Sequence, residues 1–160
     1  MLKVKSFLKR NDDFIPVSEF TDIILDPNYI EGAIEISKSG NTILSIENWD
    51  YVDQLWCYFA RGVKNVSEGK QFKTYLPDQP IEVFFKPNNN LKRVFITVIV
   101  NSESRIDVEY DEFFTVMIKE AREFFKHMKK LLPNSPDTSY ASAEKDLKVA
   151  EKNLNEKSDF

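Results

Sequence analysis

Cysteine and histidine are almost absent from this chain of 160 residues, which contains only Cys57 and His127. One cysteine cannot form an intrachain disulfide, so a stapled secreted scaffold is excluded and a reducing compartment is expected. A catalytic triad or an imidazole metal site needs partners fixed in space, and there is no second histidine. We therefore expect His127 to be non-catalytic and Cys57 to be a small buried hydrophobe.

Glycine and long apolar runs are also scarce. The four glycines are scattered, so no glycine-rich phosphate loop is present. The longest strongly apolar stretch, 94–100, is interrupted by Thr97, whereas a membrane helix needs about 20 apolar residues. The N-terminal segment lacks the apolar core of a signal peptide. We expect a soluble cytoplasmic protein with no catalytic, cofactor-binding or metal-binding residues, and with neither a membrane nor a nucleic acid as partner.

What the chain has is enough apolar surface for one compact domain. Hydrophobic residues make up 42% and aromatic residues 13%, including thirteen phenylalanines. Alternation predicts an edge strand over 2–8, with lysines on its exposed side, followed by an irregular acidic connection over 11–29. Residues 29–37 and 42–46 alternate on either side of a Ser-Gly-Asn turn and predict a β-hairpin.

Helical spacing follows the hairpin. One apolar stripe predicts a helix over 47–66, made of Trp49, Val52, Trp56, Phe59 and Val63. Four strands are predicted near 71–75, 81–86, 92–100 and 105–110, with the third one central. A second helix over 112–132 carries a wide apolar face and stops at Pro133. The predicted fold is α+β, with a mainly antiparallel sheet of six or seven strands packed against two main helices.

Seven side chains are predicted to be largely buried in this arrangement: Trp56, Phe59, Ile96, Val98, Phe114, Met117 and Phe124.

The composition changes after this domain, which we place at residues 1–133. Residues 134–160 form a polar, partly helical C-terminal extension, in which Tyr140, Ala143, Leu147, Ala150 and Leu154 recur at steps of three and four. We call these five residues the C-terminal seam. Its length of about two heptads is too short for a stable isolated helix. It is expected to dock on the domain, meet a partner or stay partly disordered.

The acidity of the chain is local. Although the net charge is only −4, residues 11–60 carry ten acids against a single lysine. Glu31 and Glu35 share one face of the predicted hairpin, which leads directly into the segment bearing Asp50, Tyr51 and Asp53. Exposed tyrosines beside acids are typical of protein-recognition surfaces. We therefore predict that these five residues bind a basic partner, and that reversing Asp50 and Asp53 to lysine leaves the thermal stability unchanged.

Three segments carry a resemblance to a known class of proteins. They are 29–36 (YIEGAIEI), 46–56 (IENWDYVDQLW) and 76–83 (LPDQPIEV). Together they resemble small immunity proteins of bacterial polymorphic-toxin and contact-dependent growth inhibition systems. The resemblance implies a non-enzymatic protein that binds and neutralises a cognate protein toxin domain, in some cases a nuclease with a basic cleft. The resemblance assigns no role to any individual residue.

Two other classes of function stay open from the sequence. The C-terminal seam would suit an adaptor or a homo-oligomeric structural protein, and the sequence leaves the oligomeric state undetermined. The abundant carboxylates would suit an enzyme with an unfamiliar acidic site, which a pocket with convergent acids would favour.

Overall fold

The computed structural model describes residues 1–24, 26–132 and 140–158. In these ranges the chain forms nine strands: β1 (Leu2–Arg10), β2 (Asp13–Pro16), β3 (Glu31–Lys38), β4 (Asn41–Leu44), β5 (Asp50–Tyr51), β6 (Phe72–Tyr75), β7 (Glu82–Asn88), β8 (Arg93–Ile99) and β9 (Glu103–Glu109). The described helices are α1 (Val52–Ser67), α2 (Tyr110–Leu131) and α3 (Ala141–Ser158), and short 3-10 turns lie at Val17–Glu19 and Ile46–Asn48.

The strands form two antiparallel sheets, which confirms the α+β class. Sheet A has the order β2-β1-β3-β4, with β5 also paired to β3, and sheet B has the order β6-β7-β8-β9. The prediction of a single sheet of six or seven strands is wrong. The strands β4 and β9 come close, and the Lys38 ammonium group donates a hydrogen bond to the Asp107 carbonyl, but no backbone ladder joins the two sheets.

The first strand lies inside sheet A only at its C-terminal end. The chain turns at Asn11, where φ is 56°, and β2 then pairs with the C-terminal end of β1. The other side of β1 pairs with β3. The prediction of an edge strand holds for residues 2–6, which pair only with β3 among the described residues, and is wrong for Phe7 and Leu8, because 13–16, within the expected irregular connection, folds back as a strand.

The predicted hairpin is present as β3 and β4. Ser39 and Gly40 both have positive φ angles, 50° and 80°, which match the twist that a tight hairpin turn requires. The predicted strands after α1 correspond to β6 through β9, and β8 lies between β7 and β9, as expected from its two apolar faces.

The first helix begins at Val52, five residues later than predicted. Ser45 and Asn48 form a capping box around the 3-10 turn, and the chain then extends as β5 before α1 starts. Val52, Trp56, Phe59 and Val63 are buried as predicted, whereas Trp49 precedes the helix and is 37% exposed. The stripe was misassigned at Trp49 because the extended segment before the helix happens to continue its spacing.

The second helix matches its prediction closely and supplies much of the aromatic core. The seven side chains expected to be buried are at most 2% exposed: Trp56, Phe59, Ile96, Val98, Phe114, Met117 and Phe124. The Trp56 indole N–H donates to the Ser6 hydroxyl on the inner face of sheet A at 2.8 Å.

In the part of the chain that the structure describes, no helix is both long enough and apolar enough to cross a membrane.

The C-terminal seam docks on the domain. Tyr140, Ala143, Leu147 and Ala150 are buried, and α3 packs along α1. Of the three possibilities that were open from the sequence, docking on the domain is the one that the structure shows for these residues. The predicted helix stop at Pro133 and the ends of the extension, 133–139 and 159–160, lie outside the described residues.

Candidate functional site

The outer face of sheet A is the surface that the sequence prediction placed in contact with a partner. Alternation along β1 directs Leu2, Val4, Ser6 and Leu8 inward toward the helices, so the intervening side chains point outward. On β3 the outward residues are Glu31, Ala33, Glu35 and Ser37, which lie opposite or next to Lys5 and Phe7 of β1. No described helix packs on this face, since α1 and α2 cover the inner one.

Aromatic side chains gather at one end of this face. Tyr51 pairs with Glu31 across β5 and β3, and its ring lies 5.7 Å from that of Tyr29 at an interplanar angle of 56°. Tyr29 is 64% exposed and Trp49 is 37% exposed. The Lys9 ammonium lies 4.8 Å from the centre of the Trp49 ring. We call Tyr29, Glu31, Trp49, Tyr51 and Asp78 the Tyr51 surface.

A buried carboxylate holds this surface together. Asp50 is 4% exposed and points away from the outer face, opposite Gly32. Its oxygens accept hydrogen bonds from three backbone N–H groups, those of Tyr51 at 2.6 Å, Asp78 at 3.0 Å and Gln79 at 2.9 Å. The Gln79 side-chain amide in turn donates to the Trp49 carbonyl. Asp50 therefore fixes the 76–80 turn next to Tyr51.

The electrostatic field at Tyr51 is negative. Its pKa is raised above the ordinary value, mainly by removal of the phenol from water and then by the charges of Asp78 and Glu31. A tyrosine is already protonated at neutral pH, and the raised pKa keeps Tyr51 in this form, which can donate a hydrogen bond. A neutral phenol beside two carboxylates is suited to a cationic or hydrogen-bond-accepting partner group.

The structure brings only some of the predicted residues together. Glu31 and Tyr51 are neighbours on the Tyr51 surface, and Asp50 supports them from behind. Glu35 lies four residues along β3, about 13 Å away, and faces Lys5 across the strand pair. The expectation that Asp50 belongs to an exposed surface is wrong, because its carboxylate is buried and accepts hydrogen bonds from backbone donors. Its reversal to lysine is therefore now predicted to lower the stability.

Asp53 belongs to a different environment, the contact between α1 and α3. Its Oδ2 atom accepts a hydrogen bond from the Tyr140 hydroxyl at 3.4 Å, and its Oδ1 atom accepts one from the Gln54 N–H at 2.9 Å. Burial raises the pKa of Asp53, and these hydrogen bonds only partly offset that effect. Asp53 thus faces the C-terminal helix, away from the Tyr51 surface.

Cys57 is next to Asp53 in this contact and packs partly buried against the core. Burial, with the nearby charges of Asp53 and Asp146, raises the pKa of the Cys57 thiol to about 12. A thiol is nucleophilic as its thiolate, which is scarce at neutral pH when the pKa is this high.

His127 lies on α2 with its Nε2 atom 3.8 Å from the Glu123 carboxylate. Within the described residues, no group of three or more His, Cys, Asp or Glu side chains could hold a metal ion.

Sequence reasoning missed three members of the Tyr51 surface. Trp49 was assigned to the buried helical stripe, Tyr29 was used only as the start of a strand, and Asp78 was not singled out within its turn. The signal for Asp78 was its place in the Leu-Pro-Asp-Gln-Pro segment, one of the three segments that carried the family resemblance. Its closeness to Tyr51 depends on the long-range hydrogen bonds of Asp50, which no local pattern encodes.

No protein-family model, curated protein or solved structure matches this chain.

Proposed function

We propose that this protein is an immunity protein that binds and neutralises a cognate bacterial toxin domain through the Tyr51 surface. The observation that carries the proposal is an exposed aromatic group on an uncovered sheet face, held in place by the buried Asp50. The protein acts by binding and not by catalysis, in the cytoplasm of the cell that makes the toxin.

The chemistry of the surface supports a protein partner. Tyrosine and tryptophan are the side chains that most often dominate binding energy in protein interfaces, because they bury a large area and also offer a polar group. Tyr29, Tyr51 and Trp49 present such side chains to solvent within one small area. The backbone of Tyr51 is fixed by strand pairing and by Asp50, so little of its backbone conformational entropy is lost on binding.

The charges of the surface support a basic partner. Glu31 and Asp78 flank Tyr51, and their negative field is felt by its phenol. Acidic groups at an interface accelerate association with a cationic partner and exclude partners of like charge. A nuclease toxin with a basic substrate cleft fits this requirement, and occupying that cleft would block its substrate.

The three segments that resemble immunity proteins meet at this surface. Segment 29–36 supplies Tyr29 and Glu31, segment 46–56 supplies Trp49 and Tyr51, and segment 76–83 supplies Asp78. Strand pairing joins the first two, and the Asp50 hydrogen bonds join the third. Their convergence supports a shared role for segments that are far apart in the sequence.

Co-expression with candidate toxin domains encoded in the neighbouring genes tests the proposal. The native chain is expected to restore growth to cells that make the toxin, and a Tyr29→Ala, Tyr51→Ala double variant is expected to fail. Tyr75→Ala is the matched control, because Tyr75 is also an exposed tyrosine, at 51%, but lies on sheet B. Full protection by the double variant, at an equal level of folded protein, would refute the role of this surface.

A further inference from the structure

Sheet B has an uncovered outer face of its own, with a cavity of about 450 Å³ at the β7–β8 turn. The cavity is lined by Lys86 and Asn88 on β7, Asn90 in the turn, Phe95 and Thr97 on β8, and Arg105 on β9. Strand register places Lys86 beside Phe95 and Thr97 beside Arg105, so these four side chains project from the same face. The volume lies within the range of small-ligand sites.

The positive charge of this cavity is not neutralised. Within the described residues, neither Lys86 nor Arg105 forms an ion pair. The other cations of this face are paired: Arg93 Nε lies 2.7 Å from Asp107, and Lys73 Nζ lies 3.5 Å from Glu82. Asp107 is opposite Phe95 in register, but its carboxylate is already bound by Arg93. Lys86 and Arg105 are therefore left to attract an anion.

One wall of the cavity is formed by Arg105 and Phe95. The central carbon of the Arg105 guanidinium lies 4.8 Å from the centre of the Phe95 ring, within the range of a cation–π contact. Arg105 is exposed, so its guanidinium remains accessible to a ligand beside this contact. Arginine planes held in this way stack with nucleobases as well as binding phosphate oxygens.

The floor of the cavity has an unused polar group. Thr97 is only 8% exposed, and its hydroxyl forms no hydrogen bond with the described part of the chain. Among the described residues this hydroxyl is not a buried atom without a partner, so it is open to solvent and can hydrogen-bond to a ligand in the cavity. At the rim, Asn88 accepts the Leu91 N–H at 3.3 Å and so shapes the turn that presents Asn90.

We propose that this cavity binds a nucleotide. Lys86 and Arg105 hold its phosphate, the Arg105 guanidinium stacks on its base, and the Thr97 hydroxyl and the asparagine amides hydrogen-bond to it. This proposal is independent of the proposed toxin-binding function, because the cavity lies on sheet B and the Tyr51 surface lies on sheet A.

Titration of the whole protein with ribonucleoside monophosphates tests the nucleotide proposal. AMP, GMP, CMP and UMP are added in separate titrations, and binding is monitored by NMR of the backbone amides. At least one is expected to bind and to shift the amides of Lys86, Asn90, Thr97 and Arg105. Its affinity should exceed those of inorganic phosphate and of the parent nucleoside by about tenfold, the effect of roughly one charge-assisted contact or stacked base. Lack of binding by all four probes, or equal binding of inorganic phosphate, would overturn the proposal.

Three variants locate the site. Lys86→Ala with Arg105→Ala should weaken binding by about tenfold or more, since both charge-assisted contacts are lost. Arg105→Lys keeps the charge but not the plane, so it should bring nucleotide affinity close to that of inorganic phosphate. Lys73→Ala, on the same face but outside the cavity, should leave affinity within about twofold. Unchanged nucleotide affinity in the double variant would contradict the assignment. So would a protein that binds single-stranded oligonucleotides but none of the four mononucleotides.

Discussion

A single carboxylate, that of Asp50, determines much of the local architecture of the proposed binding surface. Burying an ionised carboxylate is costly unless it is well hydrogen-bonded, and Asp50 meets this requirement with backbone donors from two distant parts of the chain. Its role is to connect β5 with the turn that carries Asp78. The residue predicted to contact the partner therefore supports the residues that do so in our proposal.

Asp50→Ala is expected to lower the free energy of unfolding by about 2–4 kcal/mol, because three backbone N–H groups lose a charged acceptor. Asp78→Ala is the control, since it removes an exposed carboxylate and keeps the N–H that Asp50 binds. We expect the control to change stability by less than about 0.5 kcal/mol. Urea unfolding followed by circular dichroism measures both. Equal stability of Asp50→Ala and the native chain would contradict this account.

At the level of elements, the C-terminal helix depends on its contact with α1. The helix is too weakly apolar to be stable alone, and it is held by its buried seam and by polar contacts across the interface. The Asn153 amide donates to the Ser67 hydroxyl at 3.0 Å, and Lys64 lies 4.0 Å from Asp146. Burial in this contact disfavours the ionised form of Asp53 and so raises its pKa.

The raised pKa of Asp53 makes stability depend on pH in a defined direction. A carboxyl whose pKa is higher in the folded state stabilises the fold while it is protonated, and this contribution is lost as the pH rises through the folded pKa. Asp53→Asn is therefore expected to raise the free energy of unfolding relative to the native chain at pH 7. The gain should vanish below about pH 3.5, where the carboxyl is protonated in both states.

Thermal unfolding of the native chain and of Asp53→Asn between pH 3 and pH 7 measures this effect. Asp12→Asn, in the exposed β1–β2 turn, is the control, and its stability should track that of the native chain throughout. A gain from Asp53→Asn that is the same at both ends of this range would show that burial of the charge is not its cause.

On the scale of the whole molecule, the two sheets and three helices share one core and leave two sheet faces uncovered in the described residues. The outer face of sheet A carries the Tyr51 surface, and that of sheet B carries the cavity at Lys86 and Arg105. The two proposed functions can therefore be tested separately, with variants of one face serving as controls for the other.

Local patterns predicted the elements that depend on local physics. The β3–β4 hairpin followed from alternation around a tight turn, α2 followed from its apolar face, and the seam of α3 followed from its spacing. In each case the spacing of apolar residues within one segment is what directs that segment to the core.

The features that were not predicted depend on contacts between distant segments. Sequence spacing extended the helical stripe to Trp49, although the chain is held in an extended form there by pairing of Asp50 and Tyr51 with β3. It also left the C-terminal end of β1 at an edge, because β2 is recognisable only once it pairs with Phe7 through Arg10. The gathering of Tyr29, Tyr51 and Asp78 has the same origin, since it requires strand pairing and the Asp50 hydrogen bonds together.

The affinity of the purified protein for a cognate toxin domain is the decisive measurement for binding through the Tyr51 surface. Tyr29 and Tyr51 are proposed to be the aromatic anchors, so replacing either by alanine should raise Kd by at least about 30-fold, equivalent to roughly 2 kcal/mol. Tyr29 is 64% exposed, so its truncation is expected to leave the fold intact. Tyr75→Ala, on the opposite sheet, should change Kd by no more than about twofold. A Kd that is unchanged in Tyr29→Ala and Tyr51→Ala, or that rises equally in Tyr75→Ala, would contradict the account.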